Sequence, residues 1–304
     1  MAYHNQQFQG KVEKESQGVL SLSQQINAAT REGHDIVNIM IMRRLSIGLR
    51  DYKLYREGIL SFAHVYKAFE DAWMAAIAPG ATTDVRIKHA LQNLYSVPLL
   101  RTPQLIKDLE YFSEQKTYNL DMPKWPTGVG YVAHIKRVIA EKPHLVIAYA
   151  HNYYMALFAG GKILKYQISQ AKGFFPQREK MTGEECEAAG TNLFSFEVPK
   201  GKEDMLRSGF KDALVDIQST LTPEERTDII EESKAIFKNN EQLILELDRI
   251  CATMMPPPRP PPFQAEPRVF TLRDTGEMAF IRTYKFEILF VSVFCYAAVR
   301  LFFF

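Results

Sequence analysis

Apolar side chains recur along most of this chain at alternating steps of three and four residues, the spacing that lines up one face of an α-helix. Tyr52, Tyr55, Ile59, Phe62, Tyr66, Phe69 and Trp73 form one such stripe. Ile230, Ser233, Phe237, Asn240, Ile244, Leu247 and Cys251 form a second, in which Ser233 and Asn240 face whatever the apolar members face. Thr222-Pro223, followed by Glu224 and Glu225, opens that second helix with a cap, a proline in the first turn and acids at the positive end. Further helical windows cover about 20–48, 84–95, 103–115, 128–141, 144–170 and 204–218. Asn192 to Val198 (NLFSFEV) alternates like a strand, but one isolated strand cannot found a sheet. The pattern predicts an all-α fold, a single multi-helix domain without internal repeats.

The pattern changes toward the C-terminus. Met255 to Pro262 reads MPPPRPPP, which forms no helix and predicts an extended spacer. Phe286 to Phe304 reads FEILFVSVFCYAAVRLFFF. Nineteen helical residues reach roughly 28 Å, about the thickness of a bilayer's hydrocarbon core. Glu287 and Arg300 near its ends could snorkel, and Arg282 and Lys285 flank the side expected to be cytoplasmic. The expected organisation is a flexible N-terminus over 1–20, a helical domain over 21–252, a Pro-rich linker over 253–285 and a hydrophobic membrane anchor over 286–304. Arg300 keeps open the alternative that the last segment docks on the domain instead.

Composition narrows the function classes. The 304 residues carry 37 Lys and Arg against 35 Asp and Glu, a formal charge of +2. That balance argues against nucleic acid as a partner. Cys186, Cys251 and Cys295 are far apart and form no CxxC pair, so neither a disulfide framework nor a thiolate zinc site is expected. The N-terminus has no apolar run of the secretory kind. There is no GxxxxGK[ST], HExxH or GxSxG either.

The informative anomaly lies in HLVIAYAHNYYMALFAGGKILKYQISQ, where Gly160 and Gly161 interrupt a strongly helical stretch. Each glycine costs about 1 kcal/mol relative to alanine in a helix interior. Close helix packing or a kink is one reason for such a pair. A flat ligand lying against bare backbone, where any Cβ would clash, is another. A ligand of that kind with a metal needs an axial side chain, and His34 in AATREGHDIVN is the candidate, with Thr30 and Arg31 one turn earlier on the same side.

These blocks together resemble the haem oxygenase family. AATREGHDIVN looks like the family's proximal TxxxH motif, and HNYYMALFAGGKILK like its distal helix with paired glycines. GTNLFSF is similar to the aromatic segment before the later helices, and TPEERTDIIEESKAIFKNNEQL to the late helix that carries a Phe and an Asn near the pocket. The four blocks keep the family's order from Ser21 to about Ile250, and the linker and tail match its microsomal members.

The resemblance implies haem b, both substrate and cofactor, sandwiched between a proximal helix and a kinked distal helix. His34 would be the proximal iron ligand, with Ala156, Leu157, Gly160 and Gly161 over the opposite face. It implies cleavage of haem by O2 to biliverdin, carbon monoxide and ferrous iron. Electrons would come from NADPH through a membrane-bound diflavin reductase. It further implies a tail-anchored protein of the endoplasmic reticulum membrane with its catalytic domain in the cytosol.

Departures from the family matter equally. Leu157 stands where better-known members have the distal aspartate that organises water, so that role cannot pass to this position; fungal members are similar in having an apolar residue there. Tyr66, Asn240 and Tyr153 are the candidates for an alternative polar network, each equally explicable as a satisfied core residue. Arg31, Lys211 and Arg207 are the candidates for the haem propionates, while Asn27 replaces a family lysine. Phe194 and Phe237 are candidates for pocket packing, and His151 on the distal helix is the reserve ligand. Two rival readings remain: a protein that stores or senses haem without destroying it, kept alive by Leu157, and a tethered helical adaptor in which His34 and the glycines only pack.

Overall fold

The computed structural model describes residues 20–120, 123–199 and 201–254, and among these there is no strand. Nine helices follow one another there: α1 (Leu22–Gly48), α2 (Tyr52–Ile77), α3 (Val85–Leu94), α4 (Thr102–Ser113), α5 (Pro126–Glu141), α6 (Val146–Ser169), α7 (Gly183–Ala189), α8 (Glu203–Gln218) and α9 (Pro223–Met254). The Pro-rich and hydrophobic segments, and most of the N-terminal one, lie outside the described residues.

Local sequence accounts for many of the starts. Ser21 and Gln24 close a capping box on α1, and Thr182 and Glu185 do so on α7. Asp51 and Asp84 cap α2 and α3 through their own side chains. Thr222 caps α9 and Glu225 bonds back to the Thr222 N–H, as the sequence pattern predicts.

Other starts are capped from a distance, by carboxyl groups of other helices. Glu70 of α2 accepts from the backbone N–H of Arg101 (2.7 Å) and Thr102 (3.0 Å) at the start of α4, and from the Tyr154 hydroxyl of α6 (2.8 Å). Glu246 of α9 accepts from Thr127 N–H (2.7 Å) and Gly128 N–H (3.0 Å) at the start of α5. Asp108 of α4 accepts from Asn192 N–H (2.7 Å) and Leu193 N–H (2.8 Å). All three carboxyl groups are buried, and each satisfies helix-end donors that would otherwise be left unmade.

The α2 stripe is core as predicted: Tyr55, Ile59, Tyr66, Phe69 and Trp73 are buried, with Tyr52 and Phe62 at its margin. The second stripe is rotated. In α9 the deepest residues are Ile229, Ser233, Ile236, Asn240, Leu243 and Ile244, while Ile230, Phe237, Leu247 and Cys251 are only partly buried. The strand-like segment forms no strand, as its isolation predicts. Asn192–Phe194 forms a 3-10 turn held by Asp108, because no neighbouring strand exists to receive its ladder bonds.

Helix α9 lies along α1 in parallel. A Cβ on Gly33 would stand 2.9 Å from Phe237 Cβ, and eleven residues further on each helix Arg44 pairs with Asp248 (Nε to Oδ1, 2.7 Å). Helix α6 crosses the core with Val146 to Tyr149 fully buried and then emerges: from Ala156 onward only Gly161 and Ile168 are buried.

His151 is the strangest residue of that buried stretch. It is 2% exposed and neither ring nitrogen has a hydrogen-bond partner. Burial holds its imidazole at about 4, below the ordinary 6.5. Between those values the unfolded chain binds the extra proton, so stability is full above pH 6.5 and is lost as pH falls toward 4. The loss is on the order of 3 kcal/mol. Urea unfolding of wild type and His151→Leu at pH 7 and pH 4.5 checks this. The variant should lose markedly less stability on acidification, and equal losses would refute the assignment.

Candidate functional site

Helices α1 and α6 both pack on α9 but make little contact with each other. The helix that carries His34 and the helix that carries the glycine pair are thus joined through α9. His34 stands on α1. Its side chain is 37% exposed, and its Nδ1 lies 3.3 Å from Asp35 Oδ1. With that nitrogen carrying the proton toward the carboxylate, Nε2 presents a lone pair suited to a metal. Nε2 makes no hydrogen bond among the described residues. The ring of Phe237, on α9, meets the imidazole edge-on at 6.0 Å and 71°. Gly33 permits this, since any larger residue would push Phe237 and α9 away from α1.

The glycine pair lies on the emerging part of α6, and the helix runs unbroken through Gly160 and Gly161. A Cβ on Gly160 would meet nothing within 4 Å, so this backbone faces open space. A Cβ on Gly161 would sit 3.6 Å from Phe194 and 3.9 Å from Leu157, ordinary contact distances. Leu157 and Phe194 are half-buried, and Ala156 is exposed. Bare helix backbone over space, half-buried apolar side chains around it and an imidazole with an open nitrogen form a donor set and a cradle that fit a flat metal macrocycle.

The predicted polar candidates are brought together. The Tyr153 hydroxyl donates to Asn240 Oδ1 at 2.7 Å, and the Tyr66 ring lies 5.2 Å from the Tyr153 ring. All three are buried. Burial first, and then Tyr153 and Glu70, hold the Tyr66 hydroxyl well above the usual phenol range. Asn240 follows Phe237 by one turn of α9, and Tyr153 precedes Leu157 by one turn of α6.

Of the predicted cations, Arg207 and Lys211 are neighbours on α8, while Arg31 stands on α1. Leu22 N–H donates to Gln218 Oε1 at 3.0 Å, so α1 begins where α8 ends. Arg31 is exposed, and Arg207 and Lys211 are half-buried. Lys211 has its pKa lowered, by burial first and then by the Arg207 charge. An anion arriving there would relieve that repulsion.

Several residues escaped the sequence reading. Gly33 sits beside His34, yet nothing local marks it as a helix contact. Tyr131 of α5, whose hydroxyl is 3.0 Å from that of Tyr153, joins the network only through tertiary packing. A cleft of about 570 Å3 between α3 and α8, lined by Arg86, His89 and Asp212 among others, holds none of the predicted site residues.

Comparison with known proteins gives the family. The haem oxygenase family model matches residues 20–246. The chain therefore belongs to the haem oxygenase family. It is 26% identical over 241 residues to the heme-binding protein HMX1 of Saccharomyces cerevisiae, covering 76% of each chain. To the heme oxygenase of Porphyra purpurea it is 24% identical over 231 residues, 76% of this chain and 88% of the other. Heme oxygenase 2 of Chlamydomonas reinhardtii, solved without heme, superposes with a TM-score of 0.62 at 22% identity, covering 74% of this chain and 96% of that one. Heme oxygenase-2 of Synechocystis, solved with heme and NO, gives 0.60 at 21% identity over 78% and 88%. The all-α fold is common to them.

Gly160→Ala separates helix formation from ligand contact. In the haem-free protein the added methyl enters open space and should stabilise the helix by about 1 kcal/mol. Hemin titration should show affinity weakened by about tenfold, the equivalent of about 1.4 kcal/mol of lost contact. Unchanged hemin affinity would show that no ligand lies on this backbone.

Proposed function

We propose that this chain binds haem b between α1 and α6 and cleaves it to biliverdin, carbon monoxide and ferrous iron. The reaction uses O2 and electrons passed from NADPH through a reductase. The observation that carries the reading is the pair formed by a part-exposed His34, whose Nδ1 is turned to Asp35, and a helix whose Gly160 backbone has open space above it. Haem supplies the iron that activates O2 and the ring that is opened.

The protein's part is positioning. His34 would hold the iron, with Asp35 and Phe237 setting the orientation of the imidazole. Gly160 and Gly161 let the other face approach the α6 backbone, while Phe194 and Leu157 keep that side apolar. Arg31, Lys211 and Arg207 serve the propionates, where paired cations strengthen charge-assisted bonds. Tyr153 and Asn240, fixed by their mutual hydrogen bond and by Tyr66, form the polar border where a proton is delivered.

Hemin added to the purified full chain should give a Soret band that is lost or strongly shifted in His34→Ala. Reductant and O2 should then replace it with biliverdin absorbance. An identical Soret band in the variant would remove His34 as ligand. A band that survives reductant and O2 indefinitely would favour the storage or sensing reading, which Leu157 at the distal position supports.

The membrane-bound diflavin reductase and the endoplasmic reticulum membrane belong to this proposal. No helix of the described residues is long and apolar enough to cross a membrane. The support is the sequence of 286–304, with Arg282 and Lys285 on its near flank. A shared membrane would raise the reductase's effective concentration. Deleting 286–304 should move the protein from the membrane pellet to the supernatant in a carbonate-washed fractionation, and an unaltered distribution would exclude the anchor.

A further inference from the structure

Four helices have an end in the same place, and three consecutive residues of α9 fix it. Asp248 accepts from Arg44 of α1 (Nε to Oδ1, 2.7 Å). Leu247 Cδ2 would lie 3.7 Å from a Cβ on Gly58 of α2. Glu246 caps the start of α5 through the N–H groups of Thr127 and Gly128. Helix α1 therefore ends, α2 and α5 begin, and α9 ends at one end of the bundle. The last helical residue of α9, Met254, stands about 9 Å beyond Asp248 along the helix. The hydrophobic segment 286–304 follows later in the sequence.

This end carries exposed groups that the fold does not use. Trp125 and Ile47 are each 46% exposed and Met254 is 38% exposed. Ile39, Arg43, Ile47 and Arg50 recur at steps of three and four on α1 and are all exposed, so apolar and cationic groups share one face. Arg43, Arg50, Lys53, Lys124 and Arg249 are exposed and form no ion pair among the described residues. The acids nearby are already engaged: Asp248 with Arg44, Glu57 with Arg56, Glu246 with the start of α5, and Asp51 with the Lys53 N–H. The far end of α9 is of opposite charge, with Glu224, Glu225, Asp228 and Glu231 in its first turns. Cations interleaved with exposed apolar residues, a tryptophan among them, suit a lipid interface: the cations attract anionic headgroups, and the ring and the isoleucine enter the layer beneath.

We propose that this end of the bundle rests on an anionic bilayer surface, with Trp125 and Ile47 in the headgroup layer and the unpaired cations against lipid phosphates and carboxylates. This deepens the membrane part of the proposed function and rests on it: 286–304 tethers the chain, and the folded domain makes a second contact that sets its orientation. A second copy of the chain is a poor occupant, because a two-fold contact would set the same cations against each other. His34 lies about 20 Å along α1 from Ile47, so lipid at this end leaves the imidazole uncovered.

The test uses the full chain on phosphatidylserine-containing vesicles that carry a photoactivatable phosphatidylserine, with labelled peptides mapped by mass spectrometry. Val85 is the internal reference. It is 82% exposed, and its neighbour Arg86 pairs with Glu225 at 2.7 Å, at the other end of α9. Peptides holding Ile47 and Trp125 should be labelled well above the peptide holding Val85. Their labelling should fall about tenfold in vesicles of phosphatidylcholine alone, in raised salt, or in the exposed double variant Arg50→Glu, Lys53→Glu. Label on 286–304 should persist in that variant. Label on 286–304 with the bundle end no higher than Val85 upholds the anchor and overturns this contact. Label at the bundle end with none on 286–304 keeps the contact and defeats the anchor instead. Equal labelling in neutral and anionic vesicles overturns the anionic surface, and an unlabelled end in a chain that sediments as a dimer gives the surface to a second copy.

Discussion

A carboxyl group inside a protein must be met by donors, and the first turn of a helix has donors that nothing in the helix can use. The architecture depends on joining these two needs across the core. Glu70 fastens α4 and Tyr154 to α2, Glu246 fastens α5 to α9, and Asp108 fastens the Asn192 turn to α4. Arg101, itself fully buried, extends the same logic by donating to the carbonyls of Leu99 and Ser195 while its guanidinium covers Phe196 at 4.3 Å. Burial pushes Asp108 up to about 7 against the pull of the Asn192 and Leu193 N–H groups, a measure of how dry the junction is. Each carboxyl group acts at a long sequence separation, so these bonds set the relative placement of helices and not just their ends.

That fastened half of the molecule supports an unfinished half. Helix α6 is core up to Met155 and half-open beyond it, and α1 touches α9 along its length while leaving His34 partly exposed. The rotation of α9 relative to its simple apolar stripe has the same origin. Phe237 is apolar yet only partly buried because it lies at the seam with α1, against Gly33 and His34.

Sequence patterning sufficed for the helices themselves. The α2 stripe, the Thr222-Pro223 start of α9 and the windows that became α3, α4, α5 and α8 follow from periodicity and capping, which are local properties. It also singled out His34, Gly160 and Gly161, because a glycine pair inside a helix violates local preference and so signals a demand from outside the helix. Asn192–Val198 alternates like a strand yet forms none, as its isolation predicted: alternation describes two faces, and whether a strand forms depends on a neighbour that the segment lacks.

What the tertiary structure alone decided is everything that depends on which helix faces which. Gly33 became a contact because Phe237, some two hundred residues away, lies 2.9 Å from its missing Cβ. Tyr131 joined Tyr153 and Asn240, and Glu232 joined His134 and Tyr149, through hydrogen bonds between helices whose registers no local pattern encodes. Periodicity fixes the face a residue occupies within its own helix. The rotation and offset of one helix against another come from packing and from the requirement that every buried polar group find a partner, and these are properties of the assembled chain.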